Sequence, residues 1–200
     1  MITLIGDVHG KYKRYHEIIR KKEKHPFTLQ VGDFGFDYTT LANVDYNHHV
    51  FIPGNHDNYD KLIDVPHCLG DYGQRNLNGI DFFFYRGAYS IDRQYRTIGV
   101  DWWEQEQLKI EDFQKARELY YDTKPDIMIT HDCPEVIAFQ LLDRHEHIFQ
   151  NITSWALSEF YNIHQPKYWF FGHWHKSQKI QSGKTTFICL NELETFCFAG

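Results

Sequence analysis

Five short motifs occur in order along this chain, and each carries a side chain able to bind a metal: Gly6-Asp7-Val8-His9-Gly10, Gly32-Asp33, Gly54-Asn55-His56-Asp57, Thr130-His131-Asp132 and Gly172-His173-Trp174-His175. Together they offer four carboxylates, one amide oxygen and five imidazoles. Mixed oxygen and imidazole donors suit divalent transition metals, and this many can hold two ions side by side with positions left for water and substrate. That arrangement is the chemistry of metal-assisted hydrolysis.

Taken singly, each motif has an ordinary account. Asp7 or Asp33 could cap a helix, Pro53-Gly54-Asn55 could be a polar turn, and a lone histidine after a strand is commonplace. Independent turns and caps do not explain why all five motifs fall at the ends of apolar runs. Strands are expected at 2–5, 28–31, 50–52, 126–130 and 168–171, each running into a motif, with further strands at 80–85 and 97–100. Helices are expected at 11–24, at 104–121 and twice within 134–162, with Tyr12, Tyr15, Ile18 and Ile19, and then Leu108, Phe113, Ala116, Leu119 and Tyr120, at helical spacing. Stretches 185–190 and 194–198 read as a terminal hairpin. Alternating strands and helices give an α/β fold, and ligands after strands gather at the carboxyl edge of the sheets, where such folds place their sites.

Asp-x-His, Gly-Asp, Gly-Asn-His-Asp, His and Gly-His-x-His in this order resemble the calcineurin-like metallophosphoesterase family, in particular its small bacterial and phage members. The resemblance spans residues 5–175. It implies a four-layer α-β-β-α sandwich, two mixed sheets face to face with helices outside. It also implies that Asp7, His9 and His175 hold one divalent ion, that Asn55, His131 and His173 hold another, and that Asp33 bridges them. Mn is the first expectation, with Fe, Zn, Co or Ni also compatible. The ions would sit roughly 3.5–4 Å apart, and a hydroxide between them would attack phosphorus directly. His56 would protonate the leaving oxygen, Asp57 would orient His56 and favour its protonated form, and Asp132 would hydrogen-bond a ligand imidazole from behind or begin a turn. Scaffold proteins that have lost the metal are expected to show gaps in the motif set, and this chain has none.

The chain departs from protein serine/threonine phosphatases of this superfamily. They extend the second motif to Gly-Asp-x-x-Asp-Arg-Gly, whereas this chain has Gly32-Asp33-Phe34-Gly35-Phe36-Asp37-Tyr38 and so lacks their phosphate-binding arginine. A phosphoprotein therefore stands as the alternative substrate, behind nucleotide-like or nucleic-acid phosphomonoesters and diesters. Substitutes for the arginine are Arg86, Arg93 and Arg96, which follow the 80–85 strand; the same segment could be an ordinary loop with solvated arginines and Trp102-Trp103 plugging the core. Tyr89 and Tyr95 could stack a base there.

The chain length fits one domain, 1–200, and no apolar run is long enough for a membrane span. A net charge of −6 argues against a sequence-independent nucleic-acid coat, although bound cations would offset it locally. The basic run at 20–24 suits a solvated helix end. Cys68, Cys133, Cys189 and Cys197 form no Cys-x-x-Cys pair, and with no signal-like N-terminus a reducing, cytoplasmic setting is expected. Of the 13 histidines, His48, His49, His145 and His147 need no function.

Overall fold

Apolar residues on both faces of short runs force those runs into the middle of sheets, and this chain has several. The computed structural model describes residues 1–21, 23–142 and 151–200; Lys22, His145 and His147 lie outside the described residues. In chain order the elements are β1 (Ile2–Ile5), α1 (Tyr12–Ile19), β2 (Thr28–Gln30), β3 (His49–Phe51), β4 (Tyr72–Leu77), β5 (Ile80–Tyr85) and α2 (Ile110–Thr123). Then follow β6 (Ile127–Thr130), α3 (Glu135–Leu142), α4 (Ile152–Ile163), β7 (Tyr168–Phe171), β8 (Gln178–Ser182), β9 (Thr185–Cys189) and β10 (Thr195–Phe198).

Two mixed sheets result, one in the order β10-β1-β2-β3 and one in the order β4-β5-β6-β7-β9-β8. Only β10 is antiparallel in the first, and only β4 and β8 in the second. Leu4, Leu29 and Ile52 meet Phe82, Phe84, Ile129 and Phe170 between the sheets. The alternate residues Phe83, Tyr85, Met128 and Trp169 face outward against α2, α3 and α4, through Phe113, Tyr120, Ile137 and Phe160. Ile5 and Phe51 face Tyr15 and Ile19 of α1 on the other side. Each buried aromatic removes enough apolar surface from water to contribute roughly 2 kcal/mol, which fixes both sheets against their helical layers. The expected four layers are present.

Several boundaries differ from expectation. Helix α1 stops at Ile19, because beyond it no apolar residue continues the buried stripe; the chain turns, and His25 is buried with its Nδ1 3.0 Å from Thr3 Oγ1. The 104–121 helix is two pieces, a turn of 3₁₀-helix at Glu104–Glu106 and then α2, because buried Leu108 is reached on extended backbone between them. Residues 97–100 form no strand, only a bridge between Ile98 and Trp102. Strands 185–190 and 194–198 do not pair with each other: β9 lies between β7 and β8, while β10 crosses to the other sheet and pairs with β1. The unexpected strands β4 and β8 are polar edges with few buried residues, which blunts both edges of the larger sheet. Among the described residues no helix is long and apolar enough to cross a membrane.

Candidate metal centre

The carboxyl ends of β1, β2, β3, β6 and β7 deliver all five motifs to one place. The turns that follow are tight. His9, Asp33, His173 and His175 all adopt left-handed backbone, with φ of 46°, 57°, 64° and 49°. Residues with a Cβ adopt that conformation at a cost, so its concentration at one site reflects positions fixed by their surroundings. The neighbouring glycines make room: a Cβ on Gly54 would collide with Asp33 Oδ1 and His131 Nε2, and one on Gly172 with Asp7 Oδ1.

Two groups of donors result. Asp7, His9 and His175 place one ligand atom each within 4.8 Å of one another, and Asp33, His131 and His173 do the same. In the first group His9 Nε2 and His175 Nε2 are 2.8 Å apart, and His175 Nε2 is 3.2 Å from Asp7 Oδ2. In the second, His131 Nε2 is 3.2 Å from Asp33 Oδ1 and 3.1 Å from Asn55 Oδ1. Asp33 joins the groups, because its other oxygen, Oδ2, is 3.6 Å from His9 Nε2. Convergence of imidazole nitrogens and carboxylate oxygens on two adjacent points is what a pair of divalent ions requires, so the residues fit the expected metals.

The second group is the more heavily supported. His131 Nδ1 lies 2.9 Å from the Val31 carbonyl, so Nδ1 carries a proton there and Nε2 is the atom that faces the site. Burial disfavours charge on both Asp33 and His131. Their mutual attraction and hydrogen bond outweigh it, holding Asp33 below the usual carboxylate range and raising His131 above an ordinary histidine. Asp7 is buried and accepts the His173 N–H through both oxygens, at 3.2 and 3.0 Å, so it tethers the Gly172–His175 turn.

His56 sits at the rim. Its N–H donates to Asp33 Oδ1 at 2.7 Å and its ring lies 5.1 Å from that of His9, centroid to centroid. Arg96 is set against it, Nη1 3.0 Å from Nδ1 and Nη2 3.2 Å from Nε2, and is itself held by Asp92 through two contacts of 2.8 Å. Burial and the Arg96 charge push the His56 pKa down, against the pull of Asp33.

Asp57 does not orient His56. It is fully buried, with Oδ1 accepting from Gly35 N and Tyr38 OH and Oδ2 from Gly54 N and Phe34 N. Four donors fill a carboxylate, so Asp57 fastens the third motif to the second and leaves nothing for the imidazole. Arg86 is likewise not a substrate group. It is buried, bonded to Asp71 and to the Gln105 carbonyl at 2.5 Å each, and stacked on Tyr59. Arg93 lies over Tyr89 and Trp102 rather than against the donors, and Tyr89, being buried beneath it, is not open to a base; Tyr95 is exposed. Arg96 is the one that contacts His56 among the described residues. Asp132 holds Trp174 Nε1 at 3.0 Å, together with Cys133 N and Asn151 Nδ2, so it steadies the turn between His173 and His175 through the indole rather than through an imidazole.

Sequence reasoning missed Ser90, Glu106 and Asp92. Ser90 and Glu106 form a buried pair behind Asn55. No motif marks them, and only the i,i+4 spacing of Asp92 and Arg96 offered a signal.

The family model for calcineurin-like phosphoesterases matches residues 1–177. The chain is 24% identical over 243 aligned residues to the lariat debranching enzyme of Entamoeba histolytica, covering 96% of this chain and 68% of that protein. Its fold is similar to that of a Staphylococcus aureus protein provisionally assigned as a 5′-nucleotidase (TM-score 0.58, 14% identity, 96% of this chain), of which it spans about half, 48%. It is also similar to phosphopantetheinyl hydrolase from Mycobacterium tuberculosis (TM-score 0.54, 13% identity, 96% of this chain and 89% of that one). These structural likenesses carry the fold alone. The match over most of its length places this chain among the calcineurin-like phosphoesterases, and it is accordingly a metal-dependent phosphoester hydrolase.

Proposed function

We propose that the chain hydrolyses nucleotide-like or nucleic-acid phosphoesters at a two-metal site, with Asp33 shared between the ions. The observation that carries this reading is the placement of Asp33: Oδ1 faces His131 at 3.2 Å and Oδ2 faces His9 at 3.6 Å, so one carboxylate serves both groups. Asp7, His9 and His175 would hold one ion and Asn55, His131 and His173 the other, Mn being the first choice by donor type. Bound there, the ions would lower the pKa of a water and neutralise charge on the phosphoryl oxygens.

The chain's own groups do the rest. Arg96, preset by Asp92, turns Nη1 and Nη2 toward His56, and a phosphoryl oxygen at that rim would take the place of the imidazole contacts. His56, beside Arg96, would hand a proton to the leaving oxygen. Burial and the Arg96 charge depress its pKa in the free protein, and an anionic phosphoester arriving beside it would raise that pKa, favouring the protonated form that can give up a proton. The curated relative is named for debranching lariats, and that name tips the reading toward a nucleic-acid diester over a phosphoprotein.

The test is hydrolysis of bis-p-nitrophenyl phosphate with Mn²⁺ by the parent, Asp33→Ala and His56→Ala proteins, followed by a branched or end-phosphorylated oligonucleotide and a phosphopeptide. Removal of Asp33 is expected to cost about a thousandfold or more in kcat, the scale of losing a principal charge-stabilising group. His56→Ala should cost about a hundredfold on an alkyl ester and less on a nitrophenyl ester, whose leaving group needs no proton. Turnover of the phosphopeptide alone would reverse the substrate assignment, and no turnover of any ester across several metals would overturn the reading.

A further inference from the structure

Asn55 is the weakest donor of the seven, a neutral amide whose oxygen and nitrogen ends have nearly the same shape. Only the oxygen end can bind a cation. Something must therefore set which way round the amide sits, and the structure contains a chain of polar groups that does so. Asn55 Nδ2 donates to Ser90 Oγ at 3.0 Å, and Ser90 Oγ donates to Glu106 Oε2 at 2.6 Å. The Ser90 N–H donates to the other carboxylate oxygen, Oε1, at 3.0 Å. Asn55, Ser90 and Glu106 are 3%, 2% and 1% exposed, so water does not compete for these bonds.

We infer that Glu106 is a positioning residue that fixes the amide orientation of Asn55 through the Ser90 hydroxyl. A carboxylate only accepts, so it claims the single hydroxyl proton of Ser90. The Ser90 oxygen is then left to accept, and only the NH₂ end of Asn55 can supply that hydrogen. The amide oxygen is thereby turned to the opposite side, where it lies 3.1 Å from His131 Nε2. The carboxylate is in turn fixed by its surroundings. Glu106 ends the turn Glu104–Glu106, whose Gln105 carbonyl is gripped by buried Arg86. This inference rests on the two-metal reading above.

The experiment is calorimetric titration of Mn²⁺ into the metal-free full chain, with metal stoichiometry measured alongside, for the parent, Ser90→Ala, Glu106→Gln and the pair of each with Asn55→Ala. Glu106→Gln keeps the volume but cannot accept from both the Ser90 N–H and the hydroxyl, so it breaks the polarity without removing the packing. Each single variant should weaken one metal equivalent by about tenfold to a hundredfold, the usual effect of losing an outer hydrogen-bond partner. The other equivalent and the melting temperature of the metal-free protein should stay near parental values. In the Asn55→Ala background neither change should weaken binding further, because the amide they act through is gone. Two equivalents bound as in the parent by both variants would overturn the inference and spare the two-metal reading. A uniform loss of both equivalents with a lowered melting temperature would make the pair merely structural and also overturn it. A parent that binds fewer than two equivalents would overturn both readings.

Discussion

The two halves of the site place the same imidazole group in opposite settings. His131 is fully buried, its Nδ1 pinned by a backbone carbonyl and its Nε2 between Asp33 and Asn55. The His175 side chain is 45% exposed and that of His9 is 20% exposed, and both reach the site from turns rather than from beneath it. Near His175 the outer contacts are Glu192 at 3.9 Å and, through Glu192, the exposed Lys11. His131 is thus held by the core, and His9 and His175 by the loops. A donor locked from behind does not have to be reorganised when a cation arrives, whereas a solvated one does. The deep position should therefore bind more tightly and exchange more slowly.

Removing one imidazole from each half should separate the halves most clearly. His131→Ala leaves the Asp33 charge buried without its partner, which costs about 3 kcal/mol. In a chain of this size that is a fall of roughly 10 °C in the melting temperature of the metal-free protein, in addition to loss of activity. His9→Ala should also lose activity, but its melting temperature should move by no more than about 2 °C, as for a partly exposed site. Equal shifts in a thermal scan would erase the distinction between the halves.

Metal release should show a smaller difference between the halves. Chelation of the Mn²⁺-loaded protein, followed by metal analysis against time, should release one equivalent well before the second, and the slow equivalent should be absent from His131→Ala. A single release phase for both would mean that shared Asp33 couples the positions more strongly than burial separates them.

The arginines pose the same contrast at the rim. Arg86→Met should cost about 2 kcal/mol of stability through its lost buried hydrogen bonds, with KM little changed. Arg96→Met should raise KM about tenfold, the worth of one charge-assisted contact, with stability unchanged in denaturant titration. A reversed pattern would return Arg86 to the substrate.

The site was legible in the sequence because each motif ends a strand, and strand ends have a fixed address in an α/β fold. What was not legible is decided by groups far away in the chain. Asp57 adjoins His56, yet its role comes from the N–H groups of Phe34, Gly35 and Gly54 and the Tyr38 hydroxyl. Arg86, Arg93 and Arg96 look equivalent in one loop; burial sets Arg86 apart, and the rings they meet separate Arg93, over Tyr89 and Trp102, from Arg96, against His56. Strands β4 and β8 escaped because an edge strand has too few apolar residues to show a period, although Asn78-Gly79, with φ of 52° and 77°, is a hairpin signal that could have found the first. The partner of β10 could not be read from its alternation, since a period of two says which face is buried and nothing about which strand lies alongside.

That last pairing has a temporal side. The Gly6 N–H is held by the Glu194 carbonyl and the Asp7 carbonyl by the Leu193 N–H, each at 3.0 Å. Contacts between residues so distant in sequence close slowly. These two bonds can form only once residues 193 and 194 have been synthesised, so the turn that carries Asp7 and His9 gains its last backbone anchors from the end of the chain.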